Sequence, residues 1–310
     1  MEKRYDFIVN THSRTGKAAV LWQELEAELQ RQKITYTAYV TAYCGHAAQL
    51  AAQLTAGEEP VFLVVAGGDG TVNEVLSGIR DLSLVTLGYL PLGSANDFAR
   101  GLGLTGEPIE ILHRILLAQE EDVIDIGEVS WNGGSRRFAI SAGAGVDAAV
   151  CRRAQTSALK TFLNKIHLGG LTYGLLTLSE LFRTPRMKGV ALMADGSEVV
   201  MDRMIFCAAM NFRCEGGGVP MAPRASARDG KLSVCCVCGI PKVICLFAFV
   251  LLLLGKHERI KGFVCVDTEE LHLRMDHPLV VHADGEDCGD QTELTFRCLA
   301  KALHMPKITN

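Results

Sequence analysis

The chain has 310 residues, 48% hydrophobic and 21% charged, enough for one large globular domain or two of average size. Its net charge of −4 excludes the broad basic footprint of a nucleic-acid binder, so no nucleic-acid partner is expected. The opening MEKRYDFIVN has no long apolar segment, so no signal peptide is expected. The 11 cysteines are scattered, several inside apolar runs such as LSVCCVCGI (232–240), and fit buried reduced thiols of a cytoplasmic protein better than a disulfide framework. Cys235, Cys236 and Cys238 are expected to be core strand residues rather than metal ligands, because no C-x2-C pair stands opposite another.

Strand and helix patterns alternate at first. YDFIVN (5–10) reads as a strand, AAVLWQELEAELQRQ (18–32) as a helix, ITYTAYVT (34–41) as a strand and HAAQLAAQL (46–54) as a helix. VFLVVA (61–66) is a fully apolar run before glycines, the mark of a buried parallel strand. VNEVLSGI (72–79) is helical, VTLGYL (85–90) strand-like, and SANDFARGL (94–102) starts another helix. This order predicts an α/β domain over residues 1–122 with a doubly wound, mostly parallel sheet. From about residue 123 to 295 the pattern becomes mostly antiparallel β. The strands are VIDIGEVSW (123–131), RRFAISAGAG (136–145), KGVALMADGSEVV (188–200, with a tight turn at Asp195-Gly196), RMIFCAAM (203–210), KLSVCCVCG (231–239), FVCVD (263–267), LHLRM (271–275), LVVHA (279–283) and LTFRCLA (294–300). Helices are expected at about 155–182 and 242–255, and the tail, about 296–310, is expected to pack back on the first domain.

The run VICLFAFVLLLL (243–254) would span roughly 18 Å as a helix, too short for a bilayer core. It is apolar on every side, so it is either buried in protein or set against a greasy surface. Lys242, Lys256, His257, Arg259 and Lys261 flank it, which suits an anionic membrane face or plain solvation.

Three strand-to-helix loops carry the chemistry. GGDGT (67–71) follows a buried strand and precedes a helix, so its backbone amides and the helix N-terminus suit phosphate; capping by Asp69, Thr71 and Asn73 is the plainer alternative. It is neither a Walker A loop nor GxGxxG. NTHSRTGK (10–17) brings Lys17, and PLGSANDFAR (91–100) brings Ser94, Asn96, Asp97 and Arg100. DGE (284–286) follows a late strand, where a carboxylate suits a general base or metal contact, although a hairpin turn would look the same.

Taken together, NTHSRTGK, TAYCGHA (41–47), VVAGGDGTVNEV (64–75), YLPLGSANDFAR (89–100), VIDIG (123–127), NFRCEGGGVPMAPRASARDGKL (211–232) and HADGEDCG (282–289) resemble the bacterial diacylglycerol kinase and lipid kinase family, related to sphingosine kinases. The resemblance runs in order over nearly the whole chain. GGDGT alone is shared with NAD kinases. The resemblance implies the two-domain lipid kinase and NAD kinase-like architecture, with ATP as phosphate donor between the domains and Mg²⁺ as cofactor. Asn10, Thr41, Gly67, Gly68, Asp69, Gly70, Thr71, Val72, Asn73 and Ser94 would line the nucleotide site. Asp69 and Asp97 would organise the catalytic Mg²⁺, partly through water, and Lys17, Arg100 and Asp125 would support the polar network. Asp284 would be the general base with Glu286 beside it, and Asp229 would hold a structural Mg²⁺ with carbonyls near Ser226 and Lys231. Ser94 stands where the family more often has threonine, and Arg228 stands where many relatives carry a further acid.

The expected function is therefore ATP- and Mg²⁺-dependent phosphorylation of a lipid hydroxyl such as that of diacylglycerol, by a cytoplasmic enzyme transiently docked at the inner membrane face. An NAD kinase-like enzyme, or an ATP-binding regulator without turnover, are the alternatives. The sequence is compatible with a homodimer.

Overall fold

The structure, a computed structural model, describes residues 3–156 and 169–308. The chain divides into two units, residues 1–126 with 300–310, and residues 127–299.

In the first unit, strands β1 (Tyr5–Val9), β2 (Tyr36–Val40), β3 (Val61–Gly67) and β4 (Val85–Pro91) lie in the order β4-β3-β1-β2, all parallel. Burial on both faces explains the unbroken apolar run of β3, where Leu63 through Ala66 are fully buried. Helix α1 (Lys17–Arg31) lays the stripe Ala18, Trp22, Leu25 and Leu29 into a core shared with Phe7, Val64 and Leu90. Helices α2 (His46–Leu54) and α3 (Asp69–Gly78) touch backbone to backbone, for a Cβ on Gly78 would meet the Ala48 carbonyl at 2.1 Å. The helix expected to start in 94–102 begins at Asp97, and a second, unexpected one follows it. α4 (Asp97–Leu102) stops at Gly103 in the left-handed region, and α5 (Pro108–Leu117) restarts with proline at its first turn. Chain order reverses between β1 and β3, so the crevice for a ligand lies at their carboxyl ends, where Asn10 and Gly67 sit.

The second unit is antiparallel. Strand β5 (Glu121–Trp131) enters it and forms a hairpin with β6 (Gly134–Phe138). Strands β7 (Ser141–Gly145), β10 (Phe206–Met210), β11 (Leu232–Val237), β12 (Phe263–Thr268) and β13 (Glu270–Ala283) pair in the order β12-β11-β10-β7-β13. The hairpin β8 (Met187–Met193)–β9 (Glu198–Met204) and strand β14 (Glu286–Pro306) also pair with β13. Phe138, Met201, Leu271, Leu273 and Phe296 centre its core. RRFAISAGAG is thus two strands, broken where the Ala139 and Ile140 amides turn to a side chain described below. LTFRCLA belongs to the longer β14, whose last residues return to the first unit and pair His304 with Thr86 in parallel.

Helix α6 (Val146–Thr156) starts earlier than the helix expected at 155–182, and α7 (Gly169–Arg183) supplies that helix's later part; residues 157–168 lie outside the described residues. Helix α8 (Lys242–Leu253) buries only Cys245, Ala248 and Leu252. Val243, Ile244, Phe247, Val250 and Leu254 are exposed, Phe247 by 73%. The run is therefore not simply a buried helix. Among the described residues no helix is long and apolar enough to cross a membrane.

Candidate active site

The glycines of the first unit serve close backbone packing. A Cβ on Gly93 would meet the Gly68 Cα at 2.5 Å, and one on Gly67 would meet the Thr71 Oγ1 at 2.6 Å. The GG and LG turns can therefore pass only as bare backbone. Helix α3 begins at Asp69, so the Asp69 and Gly70 amides precede any intrahelical partner, as an anion site requires. Asn10 Nδ2 donates to Thr71 Oγ1 at 3.0 Å, which ties the end of β1 to this turn, and the Thr41 amide donates to the Val9 carbonyl beside it. Tyr89, fully buried, donates its hydroxyl to Asn96 Oδ1, and Asn96 holds the third loop through Gly93 O at 2.8 Å.

Asp69 spans two loops. Its carboxylate accepts the Asp97 amide at 3.0 Å and the Phe98 amide at 3.1 Å, capping α4. Burial pushes its carboxyl pKa up, against the pull of these amides and of Arg100. Asp97 is buried and paired with the exposed Arg100. The two carboxylates form a hard oxygen set, and the amides take two of about four lone-pair sites on Asp69. These residues fit a hydrated Mg²⁺. Glu74 on α3 accepts the Gly45 and Ala47 amides at 2.9 and 3.1 Å, so the TAYCGHA segment hangs from the GGDGT helix.

In the second unit, Asp284 and Gly285 form the two-residue turn between β13 and β14, with Ala283 opposite Glu286. Their φ values of +50 and +84 are those of a type I′ turn, for which Asp-Gly is favoured. The hairpin reading is thus correct, and the turn does more than close the hairpin. The Asp284 carboxylate accepts three backbone amides, Ala139 at 2.7 Å, Ile140 at 2.8 Å and Ser141 at 3.0 Å. The break between β6 and β7 supplies those donors. Three amides fix the carboxylate in place and complement its charge.

Behind it lies a buried polar nest that the sequence did not announce. His282 Nδ1 accepts the Gly285 amide at 3.1 Å, which leaves the proton on Nε2, 3.2 Å from Asp147 Oδ2. Burial pulls the His282 pKa down, and the carboxylates of Asp147, Glu215 and Asp284 outweigh it and raise it. Gly143 makes room, since a Cβ there would meet Asp147 Oδ2 at 2.1 Å. Ser141 Oγ donates to Glu215, whose pKa is pushed up by burial first and by neighbouring Asp147 next. Asn211 donates to the Ala139 carbonyl at 2.9 Å and steadies the same break. Asn211 and Glu215 belong to the 211–232 stretch, where no role had been assigned to them. A lone histidine in the apolar strand end LVVHA, two residues before the Asp-Gly turn, was the one available signal for His282.

Of the other expected residues, Ser94 is exposed on its loop and Lys17 is exposed at the first position of α1. Asp125 is fully buried and accepts the Lys301 amide at 2.7 Å, so it anchors the returning tail. Asp229 is exposed and closes a turn on the Lys231 amide at 3.0 Å, near Ser226 in sequence.

Residues 4–129 match the diacylglycerol kinase catalytic domain, and residues 140–306 match the YegS C-terminal NAD kinase beta sandwich-like domain. The chain belongs to the diacylglycerol kinase and YegS-like lipid kinase family. It is 27% identical over 297 residues to a Bacillus subtilis (strain 168) protein designated a lipid kinase, YtlR, covering 91% of this chain and 93% of the relative. A diacylglycerol kinase of the same organism is 29% identical over 287 residues, 89% of each chain. Among solved structures, a diacylglycerol kinase from Bacillus anthracis str. Sterne superposes with a TM-score of 0.69 at 18% identity, covering 100% of this chain and 97% of that one. An NAD kinase from Archaeoglobus fulgidus in complex with ATP gives 0.52 at 12% identity, covering 98% and 94%. At these identities the likeness to solved structures is one of fold. As a lipid kinase family member the chain is a phosphotransferase of two-domain architecture, α/β then mostly antiparallel β.

Proposed function

We infer that this lipid kinase moves the γ-phosphoryl group of ATP to the hydroxyl of a lipid alcohol, diacylglycerol first among the candidates. The observation that carries the reading is Asp284, a carboxylate pinned by three amides on a rigid turn. Phosphoryl transfer asks for positioning and charge neutralisation more than covalent help. Amides at the start of α3 and the GGDGT turn receive the phosphates. Asp69 and Asp97 would hold Mg²⁺, which when bound neutralises charge on the phosphates. Asp284 takes the proton of the attacking hydroxyl, the alcohol oxygen bonds to the γ-phosphorus, and the bond to the bridging oxygen breaks to leave ADP. The Asp147–His282 pair and Gly285 hold the turn that carries the base.

The exposed apolar face of α8 supports a lipid rather than a soluble dinucleotide as acceptor. Lys256, Arg259 and Lys261 remain exposed around it and suit the anionic inner face of a membrane, where the enzyme docks peripherally. Two expected flanking cations drop out. His257 is fully buried, and Lys242 donates to the Phe182 and Thr184 carbonyls. The test is transfer of labelled γ-phosphate into an organic-extractable product from a panel of diacylglycerol, sphingosine and phosphatidylglycerol. Label in one lipid, lost in Asp284→Asn, supports the reading. Label in none of them, with ATP bound, counts against it.

A further inference from the structure

A second cluster of chemistry lies in the antiparallel unit, apart from the residues proposed to bind ATP, Mg²⁺ and the reacting hydroxyl. Cys235 on β11 and Cys265 on β12 are direct cross-strand partners. Alternation along β11 sends Cys235 and Cys236 to opposite faces, so Cys236 meets Cys207 instead, at 2.8 Å. The loop after α8 brings His257 onto the Cys235 side. One ligand atom from each of Cys235, His257 and Cys265 lies within 4.8 Å of the other two.

The histidine is set up as a ligand. It is fully buried, and its Nε2 lies 3.0 Å from the Met221 carbonyl, to which it donates. That bond leaves the lone pair on Nδ1, and Nδ1 is buried with no hydrogen-bond partner among the described residues. Metal-binding histidines are commonly oriented in this way, one nitrogen on a carbonyl and the other on the ion. Beside Cys235 and Cys265 lies a cavity of about 10 Å³, also lined by Glu258, Asp267 and Arg224; Arg224 is paired with Glu258 at 3.0 Å, and Ser233 donates to Asp267 at 2.7 Å. That volume fits one water-sized occupant.

We propose that Cys235, His257 and Cys265 bind a thiophilic divalent cation, zinc first, with the fourth position facing the cavity beside Glu258 and Asp267. Two thiolates and an imidazole are a donor set for zinc, and hard cations such as Mg²⁺ do not compete for it. A tetrahedral zinc sets its ligand atoms roughly 3.3–3.8 Å apart, within about 1 Å of side-chain rotation from the arrangement here. The ion would clamp the 255–262 loop, and with it the end of α8, onto β11 and β12. The site is independent of the Mg²⁺-ATP chemistry.

The test loads reduced full-length protein with Co²⁺ alone, then with Zn²⁺ alone. The expected result is one cobalt per chain by elemental analysis, with thiolate-to-cobalt charge-transfer absorption and the strong visible bands of a tetrahedral site. Zinc should displace both. Cys265→Ser and His257→Gln should lose the charge-transfer band or weaken metal binding by about 100-fold or more. Cys236→Ala, on the opposite face of the same strand, should keep it. Folded wild-type protein with no thiolate–cobalt band would overturn the proposal. So would a Cys235–Cys265 disulfide persisting in protein purified under reducing conditions, or an unchanged band in Cys265→Ser.

Discussion

Replacing Asp284 by asparagine separates what its carboxylate holds from what it catalyses. The backbone tolerates the change, because φ is +50 and asparagine adopts this region readily. The hydrogen bonds do not. Two carboxylate oxygens accept Ala139, Ile140 and Ser141, with Ile140 and Ser141 on one and Ala139 on the other. An amide has a single oxygen, which can keep Ile140 and Ser141. Its NH₂ then faces the Ala139 N–H, donor to donor. One stranded donor costs about 1–3 kcal/mol, and two charge-assisted bonds become neutral, so the total comes to about 2–4 kcal/mol. For a domain of this size that is a fall in Tm of roughly 4–16 °C. Below that transition the variant is folded, and loss of the base lowers kcat by about 10²–10⁴-fold with ATP affinity unchanged. Calorimetry and steady-state kinetics at low temperature read the two effects separately. A folded variant with wild-type kcat would refute Asp284 as base. An unchanged Tm would refute the role of the three amides.

Other expectations follow from the same geometry. His282→Gln should loosen the Asp-Gly turn and lower kcat by roughly 10- to 100-fold while the KM for ATP stays put; a change in KM alone would mean His282 positions nothing. Burial raises the Asp69 carboxyl pKa, so Mg²⁺-dependent ATP binding, followed calorimetrically, should weaken as pH falls from a point above the ordinary aspartate range, and Asp69→Asn should abolish that pH dependence. Glu215 is likewise raised, so its charge is a folding cost that is absent below the unfolded pKa, grows as pH rises and is complete above the folded pKa. Glu215→Gln should therefore gain Tm relative to wild type as pH increases, and a constant difference would contradict the argument. Phe247→Glu, on the exposed face of α8, should weaken flotation with anionic vesicles by about 10- to 100-fold, the worth of one buried phenylalanine.

The parallel sheet was legible because β3 is apolar without interruption and α1 carries a regular stripe. The three loops were legible because glycine is needed where Gly68 and Gly93 backbones touch. Local pattern could not show that Asp284 reaches 139–141, since those donors lie some 144 residues away and carry no side-chain signature. The Asp147–His282 pair and the Cys235–His257–Cys265 cluster were hidden for the same reason, each joining a strand to a helix or loop distant in sequence. The helix read from residue 94 begins only at Asp97, because Asn96 before it takes the left-handed region, which a residue pattern does not announce. Helix α8 was undecided in sequence because an all-apolar run has no face until its neighbours choose one.

The most direct measurement is ADP release from Mg²⁺-ATP in mixed micelles, comparing diacylglycerol, sphingosine and NAD as acceptors, with Asp69→Ala as the blank. The account predicts release that depends on lipid and vanishes in the blank. Turnover with NAD alone, or none with any acceptor while ATP still binds, would contradict it.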